Sequence, residues 1–203
     1  PFIRLKHGGD WDNDIDADDN MLREFGRITR IRVRPRAETL PVGKLLNFPK
    51  KRSPPCVYIY GTRVCGLTDD EIIALRRYLT ERGGMLIADA GGPGFDSSFR
   101  SVVSRLFPGL RLIDIPNDDE IYQRPCPLPH GAPALWHHGG RRALGLRYQG
   151  RLVIFYHPGD MNDAWKTGHS GASRDVAEAA YQVGANVMHY AVRQYLHFIG
   201  RDE

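Results

Sequence analysis

Two histidines and three aspartates stand in short glycine-bearing segments that each close an apolar run: His7-Gly8-Gly9-Asp10-Trp11, Asp89-Ala90-Gly91-Gly92 and His157-Pro158-Gly159-Asp160. A fourth segment, Gly61-Thr62-Arg63, closes the apolar run 56–60. Imidazole nitrogens and carboxylate oxygens ligate divalent cations such as zinc or manganese, and they also hold or move a proton on a bound water. His7, Asp10, His157 and Asp160 are therefore the candidate metal ligands, and Asp89 and His157 the candidate catalytic groups. Asp89 directly follows a hydrophobic run, where desolvation shifts a carboxylate's proton affinity. No HxH or HxxxH spacing joins the histidines, so the metal reading depends on the fold to assemble the site. A plainer reading is open at every one of these positions. The glycines then serve tight turns, and the Asp and His side chains bond their own loops. His137-His138 falls in a proline-rich stretch and reads first as a solvated loop feature.

Other chemistries lack their residues. There is no GxSxG elbow for a serine nucleophile. Four residues separate Cys65 from the run 56–60, too far for a nucleophile on a strained strand end. The segment Gly91-Gly92-Pro93-Gly94 lacks the GxxxxGK[ST] pattern and its lysine, so it is no phosphate-binding loop. A GxGxxG fingerprint is missing too, so no dinucleotide is expected.

The elements that must carry these segments follow from periodicity. The first strand covers residues 2–6. Asp18 or Asp19 is expected to cap a helix through Met21, Leu22 and Phe25. Alternation over residues 30–34 predicts a half-buried strand. Residues 35–55 read as a loop with a short extended piece at 45–48. The run 56–60 has the profile of a central strand covered on both faces. Thr68 and Glu71 match a capping box for the next helix. A strand at 85–88 follows, then a helix capped by Asp96 or Ser97, and a strand at 110–115. Residues 116–142 form a long irregular excursion. Strands at 143–148 and 151–156 around Gln149-Gly150 read as a hairpin, and Ser173 is expected to cap a long final helix. Alternating strands and helices predict a three-layer, flavodoxin-like (Rossmann-like) α/β domain over residues 1–203, with a mainly parallel sheet. In such a sheet the four segments meet in one crevice at the carboxyl ends of the strands. Its expected lining is His7, Gly8, Gly9, Asp10, Trp11, Thr62, Arg63, Asp89, Gly91, His157 and Asp160.

The 203 residues suit one domain with a substantial core. The formal charge of +4 is spread along the chain rather than gathered with aromatics into a stripe, so no nucleic-acid partner is expected. No apolar run reaches the roughly 20 residues of a membrane span. The first residue is Pro1 rather than Met, which leaves room for a removed leader or membrane anchor. Cys56 opens an apolar run and reads as a core thiol, while Cys65 and Cys126 would be free to pair in an exported protein.

Several landmarks recur in order along nearly the whole chain: Arg4-Leu5-Lys6-His7-Gly8-Gly9-Asp10-Trp11, Leu86-Ile87-Ala88-Asp89, Phe95-Asp96-Ser97-Ser98-Phe99-Arg100, Leu106-Phe107-Pro108, Glu120-Ile121-Tyr122, Phe155-Tyr156-His157-Pro158-Gly159-Asp160 and Gly184-Ala185-Asn186-Val187. With them the chain resembles domain-of-unknown-function family 4159. The resemblance implies a Rossmann-like bacterial domain related in shape to class I glutamine amidotransferase-like folds, in many members exported or fused behind a membrane-anchored region. It brings no catalytic residues with it. Thr62 and Ala90 depart from the family pattern, which has a Gly-His pair at the first place and often a second carboxylate at the other. The expected function is a non-catalytic binding or interaction domain of the bacterial envelope, periplasmic or secreted, with the cytoplasm as the alternative location. It would take a small polar or carbohydrate ligand, or a protein. The alternative is a metal- or water-assisted hydrolase built on His7, Asp89, His157 and Asp160.

Overall fold

The computed structural model describes residues 2–135, 142–166 and 173–200. Three runs of wholly buried residues, β3 (Cys56–Gly61), β4 (Met85–Ala90) and most of β7 (Arg151–His157), form the centre of a seven-stranded sheet. Their aromatic and branched side chains suit a pleated surface covered on both sides. With β1 (Ile3–Lys6), β2 (Glu38–Pro41), β5 (Ile113–Asp114) and β6 (Leu144–Tyr148), the strand order is β2-β1-β3-β4-β7-β6-β5. The first five strands in that order are mutually parallel, and β6 runs antiparallel to β7 and β5.

Helices cover both faces. On one, Tyr58, Ile87 and Phe155 pack against α1 (Asp16–Thr29), α4 (Met161–Trp165) and α5 (Arg174–Gly200). On the other, Val57, Ile59, Leu86 and Ile154 pack against α2 (Asp69–Glu81) and α3 (Pro93–Leu106). The chain winds outward from β1 in one direction and from β3 in the other. This flavodoxin-like order places the topological switch between those two strands.

Local signals account for several boundaries. Thr68 accepts from the Glu71 amide while the Glu71 carboxylate accepts from the Thr68 amide, so the capping box at α2 forms as the sequence predicts. Gln149 (φ 50°) and Gly150 (φ 79°) make the two-residue hairpin turn between β6 and β7, where both central residues need positive φ. Ser173 accepts from the Val176 amide at 3.3 Å and so caps α5.

Other expectations are corrected. Residues 30–34 are not a strand: Arg30 ends α1 in the left-handed region, and the edge position beside β1 belongs to β2. The period-two pattern there comes from Val33 packing against the core while Ile31 stays 42% exposed. The extended piece expected at 45–48 is a 3-10 turn over Val42–Asn47. Neither Asp18 nor Asp19 caps α1, which starts at Asp16 without a side-chain cap; Asp18 points inward to Arg4, and Asp19 accepts from the Ala37 amide at 2.7 Å. Helix α3 starts at Pro93 after Gly92, because proline suits the first helical position; Asp96 instead bonds Arg100 and Tyr156. The strand expected over 110–115 shrinks to Ile113–Asp114.

In the excursion, Ile121, Tyr122, Leu128, Ala132 and Leu135 are buried against the α5 face, so this stretch packs as core. Cys65 lies in the α2–α3 layer, whereas Cys126 bonds Asn186 of α5 through its backbone on the opposite side of the sheet. The sheet thus stands between them, and all three cysteines are free.

Candidate functional site

The four strands whose ends carry the polar segments, β1, β3, β4 and β7, are consecutive in the sheet and parallel. Their carboxyl ends therefore form one row, and short bonds stitch each segment to the next. Between the first two, Asp10 accepts from the Thr62 amide at 2.9 Å, from the Thr62 hydroxyl, and from the Arg63 amide at 3.2 Å. Burial alone would raise the Asp10 pKa, but these donors outweigh it and bring it down to about 2. Between the second and third, the Gly91 amide donates to the Gly61 carbonyl at 2.9 Å. A Cβ on Gly92 would stand 1.9 Å from the Thr62 carbonyl oxygen, so only glycine permits that approach.

The third and fourth segments meet through Asp89. One of its oxygens accepts from the Met161 amide at 2.9 Å; the other accepts from the Asn162 amide at 2.7 Å and the Tyr58 hydroxyl at 2.9 Å. Asp89 is wholly buried, and desolvation followed by the nearby Asp160 charge pushes its pKa well above the carboxylate range, against those three donors. Asp160 is also buried. It sits in the left-handed region at φ 67° and accepts from the Asp163 amide at 3.0 Å, capping α4. Desolvation is the main cause that raises its pKa too, and the Tyr60 hydroxyl, bonded to it, works the other way. Two buried carboxylates raised in this way titrate as a pair that favours holding a proton.

His157, register partner of Asp89, has no spare nitrogen. Its Nε2–H donates to the Pro133 carbonyl at 3.0 Å, and Nδ1 accepts from the Gly159 amide at 2.9 Å. Burial lowers its pKa to about 4, so the ring is neutral at physiological pH. His7 differs. Its Nε2–H donates to the Tyr60 carbonyl at 2.9 Å, but its buried Nδ1 has no partner. Burial lowers its pKa as well, leaving Nδ1 as a free acceptor. His7 borders a cleft of about 560 Å³ lined also by Lys6, Gly8, Gly66, Thr68 and Glu71. The Gly8 amide donates to the Gly66 carbonyl at 2.8 Å and the Gly9 amide to the His7 backbone carbonyl at 2.8 Å, which fixes the rim of that cleft. The Trp11 ring lies under the Lys6 ammonium at 4.8 Å.

Among the described residues no three His, Cys, Asp or Glu side chains are grouped to hold a metal ion. His137-His138 lies outside those residues. Cys65 is buried, which pushes its thiol up to about 12 and suits a core group rather than a nucleophile.

Sequence reasoning missed the group beneath the row. Arg4, fully buried in β1, makes two bonds to Asp18 at 2.7 and 2.5 Å, and Asn162 donates to the same carboxylate at 3.2 Å. The guanidinium also donates to the Trp11 and Asn13 carbonyls, at 3.0 and 2.6 Å. It therefore anchors both the β1 end segment and α1. An arginine amid Phe2, Ile3 and Leu5 was the available signal, since a buried charge requires a partner. A separate apolar hollow of about 520 Å³, between α1, α5 and residues 31–34, lies at the opposite end of the strands and touches none of these polar groups.

Fold and row together define a flavodoxin-like three-layer α/β domain whose strand ends carry a hydrogen-bonded polar rim. The chain belongs to the family described as Domain of unknown function (DUF4159), which matches residues 1–192. No curated protein matches it. Among the described residues no helix is long and apolar enough to cross a membrane.

Proposed function

We propose that the chain is a non-catalytic binding domain of the bacterial cell envelope, receiving a small polar ligand, carbohydrate foremost, at the His7 end of the strand-end row. One observation carries this reading. Asp10, Asp89, His157 and Asp160 accept bonds from the protein's own loops, whereas the buried His7 Nδ1 has no partner and His7 itself lines a cleft. A polar ligand with an O–H or N–H donor satisfies such an atom, and burying it unpaired is costly. The envelope location and a kinship in shape with class I glutamine amidotransferase-like domains rest on the family resemblance alone. The raised pair Asp89 and Asp160 favours the second reading, a metal- or water-assisted hydrolase including His7 and His157, because perturbed carboxylates cluster at active sites.

The two readings separate in one set of measurements. Titration of isotope-labelled protein with mono- and oligosaccharides is expected to shift amide resonances of residues 6–10 and 66–71, and His7→Gln, which keeps a donor for the Tyr60 carbonyl, is expected to abolish the shifts. Silence across the saccharides would overturn the carbohydrate reading. Stoichiometric zinc or manganese that vanishes in His7→Ala and His157→Ala would overturn the metal-free, non-catalytic reading and favour the hydrolase reading instead.

A further inference from the structure

At the antiparallel margin of the sheet, away from the His7 cleft, three arginines from separate elements border one concavity. Arg100 comes from α3, Arg111 from the segment before β5, and Arg142 from the segment before β6. The cleft has a volume of about 730 Å³, and Asp114 is the one carboxylate among its lining residues. Leu112 and Leu144 form its apolar wall.

The arginines are held to different degrees. Arg100 is braced: its Nε donates to Asp96 at 2.9 Å and its guanidinium lies over the Tyr156 ring at 5.7 Å. Arg142 donates through one Nη to the Asn117 side chain at 2.8 Å. Arg111 has no hydrogen-bond or ion-pair partner among the described residues. Each guanidinium offers five donors in a planar fork, so most of the donors around this cleft are unspent. Like charges gathered on one concave surface repel, and a multiply charged anion relieves that repulsion while taking bidentate bonds.

We propose that this cleft is a binding site for a small polyvalent anion, a phosphate or a polycarboxylate, with Arg111 and Arg142 as the forks that grip it and Arg100 as a fixed wall. The site does not depend on the strand-end reading, as the two share no residue.

Isothermal titration of the protein with inorganic pyrophosphate and, separately, with citrate tests the proposal. One-to-one binding of at least one probe is expected, weakening as sodium chloride is raised. Arg111→Gln and Arg142→Gln are each expected to weaken it about tenfold or more, in line with the loss of a charged hydrogen-bond pair. Arg111→Lys, which keeps the charge but not the fork, should recover only part of that loss. Pyrophosphate without citrate binding would identify a phosphate site, and the reverse a polycarboxylate site. Failure of both probes, or affinity indifferent to the two Gln variants, would overturn it. All of these side chains are at the surface, so the variants are expected to fold as the parent does, and an unchanged melting temperature confirms this.

Discussion

Asp10 and Asp89 tie together separate parts of the same row, accept a comparable set of donors, and are pushed in opposite directions. Asp10 accepts two amides and a hydroxyl at the water-facing rim, and its pKa falls to about 2. Asp89 also accepts two amides and a hydroxyl, yet burial and the Asp160 charge raise it. The donor count is the same, so solvent and like charge decide the sign. A carboxylate at a strand end can thus be a rim clamp or a buried tie between strand and helix, and residue type alone does not distinguish the two.

The strongest way to break this contrast is to remove the buried member. Asp89→Ala orphans the Met161 and Asn162 amides and the Tyr58 hydroxyl, and is expected to cost about 3 kcal/mol or more in urea denaturation. A loss under about 1 kcal/mol would mean that the tie is dispensable. Next comes Asp160→Asn, which keeps an acceptor for the Asp163 amide and tolerates the left-handed backbone. A carboxylate raised in the folded state contributes its stability below the unfolded value of about 3.9, and that contribution is lost as pH climbs through the folded value. The variant is therefore expected to gain on the order of 1 kcal/mol over the parent at pH 8, visible as a higher melting temperature, with little gain near pH 4. A gain at both pH values would show that the charge pair is not its cause.

Asp10→Asn should have the smallest effect, about 1 kcal/mol or less at pH 7, since solvent screens the partly exposed site. Its sign is opposite. A lowered carboxylate contributes above about pH 3.9 and loses that contribution as pH falls toward 2, so the variant should flatten the acid side of the stability curve only. Carbonyl-carbon resonance titrations of the parent sharpen all three expectations: Asp10 should have its midpoint near 2, while the Asp89–Asp160 pair holds a proton well beyond the ordinary carboxylate range.

How much of this was legible in the sequence depended on how local each cause is. Strands β3, β4 and β7 announce themselves through continuous burial, and Thr68–Glu71 and Gln149-Gly150 through fixed offsets. The convergence of four strand ends followed from a parallel sheet. Which of those groups would be spent did not, because the donors to Asp89 come from Met161 and Asn162, more than 70 positions away. A shorter separation of 14 residues was enough to hide Asp18 behind an ordinary capping signature and Arg4 inside a strand. Strand β2 escaped because it is half-exposed, polar and ends in Pro41, leaving no periodic signature; residues 30–34 supplied a false one.

Pro41 and the brevity of β5 have a consequence for the protein at high concentration. An open sheet exposes a row of unpaired amides and carbonyls on each flank, and such a row can recruit another chain into a growing fibre. Here one flank is a four-residue strand ended by an imino acid, and the other offers only two residues with Arg111 close by. Neither is long enough or neutral enough to serve as a template for polymerisation. The long, apolar strands that could template one are enclosed at the centre, with a neighbour on each side.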